Sequence, residues 1–215
     1  MCMKEIRGLR RNNKEGIAMR VIGLTGGTGS GKGVVSQCLR EAGAAIIDAD
    51  LIAHEIIKMG RPAYEELVDY FGYAILREDG EIFRRKLGEI VFRDKEKLKF
   101  LNLCTHKYIA QEIARQIQEA KELRNAKLII IDAPLLIEAG LAEICDEIWV
   151  VYADEEVRAH RVMQRDGITY ETARARIANQ KSWSEYESYA QEVIDNSSDI
   201  ENVQAQVATL MKKYA

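Results

Sequence analysis

One glycine-rich segment carries a lysine at the spacing of a phosphate-binding loop. It reads GGTGSGKG from Gly26 to Gly33 and lies between an apolar run and an amphipathic one. Backbone N–H groups that glycines leave uncovered bind phosphates together with the positive end of the following helix, and the lysine reaches the outer phosphates. We therefore predict a nucleotide phosphate site, with a plain strand-to-helix turn as the alternative. The residues expected to form it are Gly27, Thr28, Gly29, Ser30, Gly31, Lys32, Gly33 and Val34.

The last position of this motif departs from the usual pattern. A serine or threonine hydroxyl normally follows the lysine and ligates the magnesium ion of the nucleotide, but Gly33 stands here. A further water on Mg²⁺, which keeps several waters in such sites, can replace that ligand. Ser36 lies about 4.5 Å further along the helix axis, too far for direct replacement. We expect an active site whose metal is held more weakly or through water.

Two carboxylates end the second apolar run, IIDAD. Residues two apart in extended backbone project to the same side, so we expect Asp48 and Asp50 to face one cleft at the carboxyl edge of a sheet. One can accept the proton of an attacking hydroxyl and the other can hold a metal-bound water. Capping of the helix that begins at Leu51 is the alternative for Asp50.

A third carboxylate, Asp132, ends the run LIIID. It has the position of the acidic residue that assists magnesium in many nucleotide hydrolases and kinases. Pro134 and the leucines after it form either a hydrophobic wall for a bulky substrate or part of the core. Core packing is the favoured interpretation for Leu135 and Leu136.

Five arginines follow in two neighbouring segments. Arg158, Arg161 and Arg165 recur at i, i+3 and i+7, which places them on one face of a helix, and Arg174 and Arg176 come next. Such a face is usually only solvated. Downstream of a phosphate loop, however, guanidinium groups that close over the transferred phosphoryl group stabilise its charge. We predict a lid whose arginines act on the phosphates. Arg165 is the first candidate for this role and Arg161 the second.

Short apolar runs alternate with amphipathic ones and must position these residues. RVIGLTG, AAIIDAD, KLIIIDAPLL and EIWVVYA have the composition of strands buried on both faces. KGVVSQCLREAG predicts a helix that ends at Gly43. The βαβ order predicts a parallel sheet covered by helices. Residues 51 to 125 show helical spacing without a clear strand, which predicts a helical insertion.

Composition excludes several classes of protein. Of 215 residues, 47% are hydrophobic, enough for a substantial core. The net charge of −3 argues against a nucleic-acid partner, and no apolar run is long enough to cross a membrane. The scattered cysteines lack the pairing of a zinc site or disulfide framework, which suits a reducing cytoplasm. These cysteines are Cys2, Cys38, Cys104 and Cys145.

The first 18 residues are basic but lack the apolar segment of a secretory signal. We interpret residues 1–18 as a mobile extension and expect the working protein to begin near Met19. A basic tail that binds a partner is the alternative.

Several of these segments occur in the order found in dephospho-coenzyme A kinases, and the chain resembles that family from Met19 onward. The resemblance implies transfer of the ATP γ-phosphate to the ribose 3′-hydroxyl of dephospho-coenzyme A, with Mg²⁺, as the last step of coenzyme A synthesis. It implies a P-loop three-layer α/β fold with a five-stranded parallel sheet, a helical substrate-binding insertion and an arginine-bearing lid. The segments are IGLTGGTGSGKG, IIDAD, RRKLGEIVF, IDAPLLIEAG, VVYADEEVRAHRVMQRDGIT, ARIANQ and VIDNS.

The resemblance also implies residue roles. Lys32 lies on the β and γ phosphates, Asn196 lies near the adenine, and Asp50 is favoured over Asp48 as the base. Asp48 and Asp132 hold the metal through water. Arg84 and His106, with Pro134 and Leu135, contact the acceptor, and Arg161 and Arg165 belong to the lid. The family commonly has serine at the position of Gly33, and His–Pro where this chain has His106 and Lys107.

The resemblance implies that residues 19–215 form a single kinase unit with three regions. Its core comprises about 19–50, 126–157 and 191–215, its helical substrate-binding region about 51–125 and its lid about 158–190. We expect a monomer or weak homo-oligomer. A kinase for another small nucleotide-like acceptor is one alternative function. A non-catalytic ATP-binding protein, suggested only by Gly33, is the other.

Overall fold

A computed structural model describes residues 19–123 and 126–214, so the predictions for residues 1–18 lie outside the described residues. The chain forms two compact units. The helical unit comprises residues 48–116, and the sheet unit comprises, within the described residues, 19–47, 117–123 and 126–214. The boundaries proposed above for core, substrate region and lid stay predictions.

The sheet has five parallel strands in the order β2-β3-β1-β4-β5. Leu24 of β1 lies opposite Asp132 on one side and Trp149 on the other, so the central strand is covered by hydrogen-bonded neighbours along both edges. This confirms the predicted parallel sheet. The strands are β1 (Val21–Thr25), β2 (Ala45–Asp48), β3 (Ile129–Asp132), β4 (Glu147–Tyr152) and β5 (Glu192–Asp195).

Nine α-helices connect these strands in the described residues. Gly43, with φ of 98°, ends the first of them as predicted, and its N–H donates to the carbonyl of Arg40 at 3.0 Å. No helix among the described residues has both the length and the apolar character that a bilayer crossing requires. The helices are α1 (Lys32–Glu41), α2 (Ala49–Glu55), α3 (Pro62–Phe71), α4 (Arg84–Val91), α5 (Lys95–Leu123), α6 (Glu155–Asp166), α7 (Tyr170–Ala178), α8 (Trp183–Tyr189) and α9 (Ile200–Lys212).

The core of the sheet unit is built from branched apolar side chains of the strands and from the inner faces of α1 and α9. Leu24, Leu39, Trp149 and Ile194 are all fully buried in it. A smaller cluster joins α6 to α7. Its members are Ala159, Val162, Ala173 and Ile177. The close-packed helix pair α6–α7 therefore has a small core of its own.

The helical unit is held by aromatic and hydrogen-bonded contacts. Tyr70 of α3 stacks on Phe100 of α5 with ring centroids 3.7 Å apart, and the Tyr64 hydroxyl donates to the carbonyl of Gly80 at 2.6 Å. Between residues 51 and 123, all of which are described, only the isolated bridge between Leu76 and Ile82 is extended. The predicted helical insertion is confirmed.

Adjacent residues of β5 test how much this core stabilises the fold. Ile194 is fully buried, whereas Val193 is 41% exposed. We expect Ile194→Ala to lower the free energy of unfolding by about 3 kcal/mol, because it removes apolar contacts and leaves a cavity. Val193→Ala is the control and should cost no more than about 1 kcal/mol. Urea unfolding followed by circular dichroism measures both, and equal losses would contradict the assigned orientation of β5.

Candidate active site

The glycine-rich loop connects β1 to α1. The Ser30 N–H donates to the carbonyl of Gly27 at 3.1 Å, and Gly29 and Gly31 have φ of 77° and 80°. Helix α1 begins at Lys32 without a side-chain cap and without an acidic residue in its first turn. The loop therefore has the strand–loop–helix geometry in which an uncapped helix N-terminus attracts an anion.

Later parts of the chain pack closely against this loop and leave no room for a side chain at Gly29 or Gly31. A Cβ atom at Gly29 would lie 2.5 Å from the carbonyl oxygen of Arg158, and one at Gly31 would overlap the Asn196 amide nitrogen. Gly33 differs, because a Cβ there would meet no heavy atom within 4 Å. The missing hydroxyl of the motif is thus not a result of crowding.

Lys32 and Asp132 form an ion pair between the start of α1 and the end of β3. Their side chains are only 18% and 10% exposed. Because a buried carboxylate without a partner is costly, each charge depends on the other in this state of the site. The structure therefore brings together the predicted phosphate-binding lysine and one of the predicted metal-binding carboxylates.

Three arginines of α6 contact the loop. The Arg158 Nε donates to the carbonyl of Thr28 at 2.9 Å, and an Arg161 Nη lies 3.4 Å from the carbonyl of Ser30. An Arg165 Nη lies 3.5 Å from the Thr28 hydroxyl. Burial lowers the pKa of the Arg158 guanidinium, which still stays charged near neutral pH. The i, i+3, i+7 spacing thus places positive charge along the loop.

Asp166 connects Arg165 to the neighbouring helix. It accepts two hydrogen bonds from Arg165, at 2.7 and 3.0 Å, and one from Arg176 of α7 at 2.7 Å. The Arg165 hydrogen bonds lower the pKa of the Asp166 carboxyl, and the same contact raises the pKa of Arg165. Arg165 is therefore held by a carboxylate at the end of its own helix.

Two further residues that contact the loop have roles that sequence reasoning did not predict. The Asn196 side-chain amide is buried and donates to the carbonyl of Ser30 at 2.7 Å. The Gln180 side-chain oxygen accepts from the Thr28 N–H at 2.8 Å and from an Arg158 Nη at 3.2 Å. Both residues lie in segments that carry the family resemblance, ARIANQ and VIDNS. No local sequence pattern indicates, however, that their side chains contact the loop.

The acidic pair of IIDAD differs from the prediction. Helix α2 begins at Ala49, directly after β2, so Asp50 lies in the first helical turn and the extended alternation assumed for the pair is wrong. Asp48, not Asp50, caps the helix by accepting from the Leu51 N–H at 2.9 Å. The capping interpretation of Asp50 is therefore wrong as well. Both side chains belong to the helical unit and are exposed.

Arg84 lies at the start of α4 in the helical unit. One of its Nη atoms is 3.4 Å from the carbonyl of His54, and burial lowers the pKa of its guanidinium. It lines a cavity within this unit that is rich in basic side chains. Residues around that cavity include His54, Lys58, Arg77, Phe83 and Arg84.

His106 is exposed on α5, and the helix continues through it and Lys107 without a break. Lys107 pairs with Glu66 of α3 at 3.0 Å, and this hydrogen bond lowers the pKa of the Glu66 carboxyl. Lys107, which stands where the resemblance led us to expect proline, is thus used for a contact between two helices.

The residues after Asp132 divide between surface and core. The Thr25 hydroxyl donates to the carbonyl of half-buried Pro134 at 3.2 Å. Leu135 is 62% exposed, so its assignment to the core is wrong, whereas Leu136 is fully buried as expected. The chain therefore presents an exposed leucine directly after Pro134.

Comparison with known proteins agrees on one family. A family model described as Dephospho-CoA kinase matches residues 20–202. The chain is 46% identical over 200 residues to a dephospho-CoA kinase of Carboxydothermus hydrogenoformans, covering 92% of this chain and 96% of that one.

Two solved structures share the fold over nearly their whole length. One is the protein TT1252 from Thermus thermophilus, with a TM-score of 0.77 and 29% identity over 92% of this chain and 98% of that one. The other is a dephospho-CoA kinase from Campylobacter jejuni, with a TM-score of 0.67 and 28% identity over 90% and 96%. The agreement of sequence match, phosphate loop and sheet order means that the chain belongs to the dephospho-CoA kinase family.

Proposed function

We infer that the protein is an enzyme that phosphorylates dephospho-coenzyme A with ATP, the reaction of coenzyme A biosynthesis for which its family is named. The observation that carries this inference is the family match over residues 20–202, which includes a phosphate loop that keeps its glycines and a Lys32 paired to Asp132. The bond that forms joins the γ-phosphorus to the ribose 3′-oxygen of the acceptor. The bond that breaks joins that phosphorus to the oxygen of the departing ADP.

In the sheet unit, the loop and α1 bind ATP. Loop N–H groups and the positive end of α1 surround the phosphates, and Lys32 moves from Asp132 to the β and γ groups when ATP binds. Arg161 and Arg165 lie beside the loop, so their guanidinium groups stabilise the charge that spreads over the transferred phosphoryl group. Asn196, which we expected near the adenine, also supports the loop through its hydrogen bond to the Ser30 carbonyl.

In the helical unit, the acceptor is bound and deprotonated. Asp50 takes the proton of the 3′-hydroxyl as general base. Asp48 fixes the start of α2 through its cap on Leu51 and thereby fixes the position of Asp50. Arg84 and His106 bind the anionic acceptor.

Magnesium fits this set of residues in a water-rich form. Among the described residues, no group of three or more histidine, cysteine, aspartate or glutamate side chains could hold a metal ion. Mg²⁺ in phosphoryl-transfer sites needs only one or two carboxylates besides phosphate oxygens and water. Asp132 would hold it through water, and the open space beside Gly33 leaves room for that water. The ion neutralises phosphate charge when bound.

We further propose that the protein acts in the cytoplasm as a monomer or weak homo-oligomer, with residues 158–190 as a lid. The contacts of Arg158, Arg161 and Arg165 with the loop support that role. A lid that closes over both ligands excludes water and so limits hydrolysis of ATP without an acceptor.

The function is tested with the purified protein, ATP, Mg²⁺ and a panel of acceptors. We expect ADP release and formation of coenzyme A, identified by mass spectrometry, with dephospho-coenzyme A. ADP release should be far slower without an acceptor, because the open lid leaves the site incomplete. Comparable turnover with nucleoside monophosphates would instead support a kinase for another small nucleotide-like acceptor. ATP binding without any turnover would identify a non-catalytic protein.

The two acidic residues can be separated by substitutions that keep the fold. Asp50→Asn should reduce kcat about 10²- to 10⁴-fold, the range expected for loss of a general base, while ATP affinity stays near that of the wild type. Asp48→Asn is the matched control, because asparagine caps a helix as well as aspartate. Its loss of kcat should be smaller, because it keeps the cap that fixes Asp50 and leaves the proposed base unchanged. Near-normal turnover of Asp50→Asn would show that Asp50 is not the base.

The open position at Gly33 allows a test of the metal shell. Gly33→Ser should lower the Mg²⁺ concentration needed for half-maximal rate by roughly fivefold, the effect of about 1 kcal/mol from one added polar contact. Gly33→Ala supplies the same Cβ without the hydroxyl and is the control. A Cβ at this position meets no neighbouring heavy atom within 4 Å. If serine and alanine give the same Mg²⁺ dependence, the hydroxyl does not reach the metal shell and our explanation fails.

A further inference from the structure

The peptide groups on both sides of Thr28 are held by side chains from far along the sequence. Its N–H donates to the Gln180 side-chain oxygen at 2.8 Å, and its carbonyl accepts from the Arg158 Nε at 2.9 Å. The two side chains are joined to each other, because an Arg158 Nη donates to the same Gln180 oxygen at 3.2 Å. Thr28, Arg158 and Gln180 therefore form a closed ring of three hydrogen bonds, which we call the Thr28 clamp.

Thr28 is the loop residue that most needs such support. It lies between Gly27 and Gly29, whose backbones have more conformational freedom than any other residue type. Without outside contacts, the peptides of this Gly-Thr-Gly segment would sample many orientations, and ATP would have to select one of them. The resulting loss of conformational freedom would weaken binding.

The clamp also connects the loop to two separate points of the proposed lid. Arg158 lies in the first half of α6, and Gln180 lies two residues after the end of α7. Arg161 and Arg165, the proposed phosphate-binding arginines, lie between these two anchors. The base of the α6–α7 pair is thereby fixed to the loop at Thr28.

We propose that Gln180 is a positioning residue for the kinase reaction, which with Arg158 holds the Thr28 peptide in the orientation that the bound nucleotide requires. This deepens the function proposed above and rests on it. Gln180 touches no reacting atom in this role. It acts through the loop backbone, so its effect falls on nucleotide affinity and not on the acceptor.

The test measures ATP affinity directly, by calorimetric titration of the full chain in the presence of Mg²⁺. Gln180→Leu keeps most of the side-chain volume but removes the acceptor oxygen. We expect its Kd for ATP to rise about tenfold, the scale of one segment ordered on binding, with an equal rise in KM for ATP. The KM for dephospho-coenzyme A should change less than about twofold, since the helical unit is untouched.

Two further variants separate a positioning role from a general effect on the fold. Gln164→Leu alters another exposed glutamine, on α6, that has no hydrogen bond to the loop in the described part of the chain, and its Kd should equal that of the wild type. Gln180→Glu keeps an acceptor for both donors but adds a negative charge near the phosphates. Its loss of affinity should shrink toward zero as salt is raised, because repulsion is screened, whereas the loss in Gln180→Leu should persist.

A double-variant cycle tests the ring itself. Because Arg158 and Gln180 act on the same peptide, the Kd of Arg158→Gln combined with Gln180→Leu should rise less than the product of the two single effects. Thermal unfolding of each variant identifies any that fails to fold. If an Arg158 variant does not fold, the Kd of Gln180→Leu, a substitution at an exposed position, still tests the proposal.

Two results would overturn the proposal. The first is a Kd of Gln180→Leu within twofold of the wild type. The second is tighter ATP binding by this variant, which would mean that Gln180 obstructs the loop. Because Kd needs no acceptor, these results are distinct from failure of the proposed function, which shows instead as a wild-type protein that binds ATP and does not phosphorylate dephospho-coenzyme A.

Discussion

Close contact between the loop backbone and later parts of the chain is the constraint on which the phosphate loop depends. The carbonyls of Thr28 and Ser30 accept hydrogen bonds from Arg158 and Asn196. Since the C=O and N–H of a peptide point in opposite directions, fixing the carbonyls on one side helps to direct the loop amides to the other, where an anion can bind. Glycine at positions 29 and 31 is the condition for this approach.

Contacts of the same kind hold the positively charged side chains near the anion site in defined positions. Arg161 points at loop carbonyls, and Arg165 is held by the Asp166 carboxylate. Each guanidinium thus has partners before a nucleotide arrives. Lys32 is held in the same way by Asp132. A bound phosphate replaces or joins these partners, so the site exchanges hydrogen bonds and does not have to create all of them at once.

Gly33 separates two properties that usually occur together in phosphate loops. Anion binding by the loop depends on backbone geometry and on Lys32, both of which this chain retains. Metal ligation depends on one hydroxyl, which it lacks. Because Mg²⁺ keeps much of its water shell, loss of one protein ligand is compatible with activity, whereas loss of the lysine or of the glycine geometry would remove the phosphate contacts themselves.

Local patterns in the sequence determined much of this protein. Helical spacing of apolar residues located the insertion, continuous apolar runs located four of the five strands, and arginine spacing placed Arg158, Arg161 and Arg165 on one helix face. Only the tertiary structure decided that Gln180 and Asn196 meet the loop, that Asp48 caps α2, and that Leu135 is exposed. Gln180 lies 152 residues from its partner Thr28. Periodicity reports which side of an element is buried, but packing between distant elements, which no local pattern encodes, selects the atoms that finally touch.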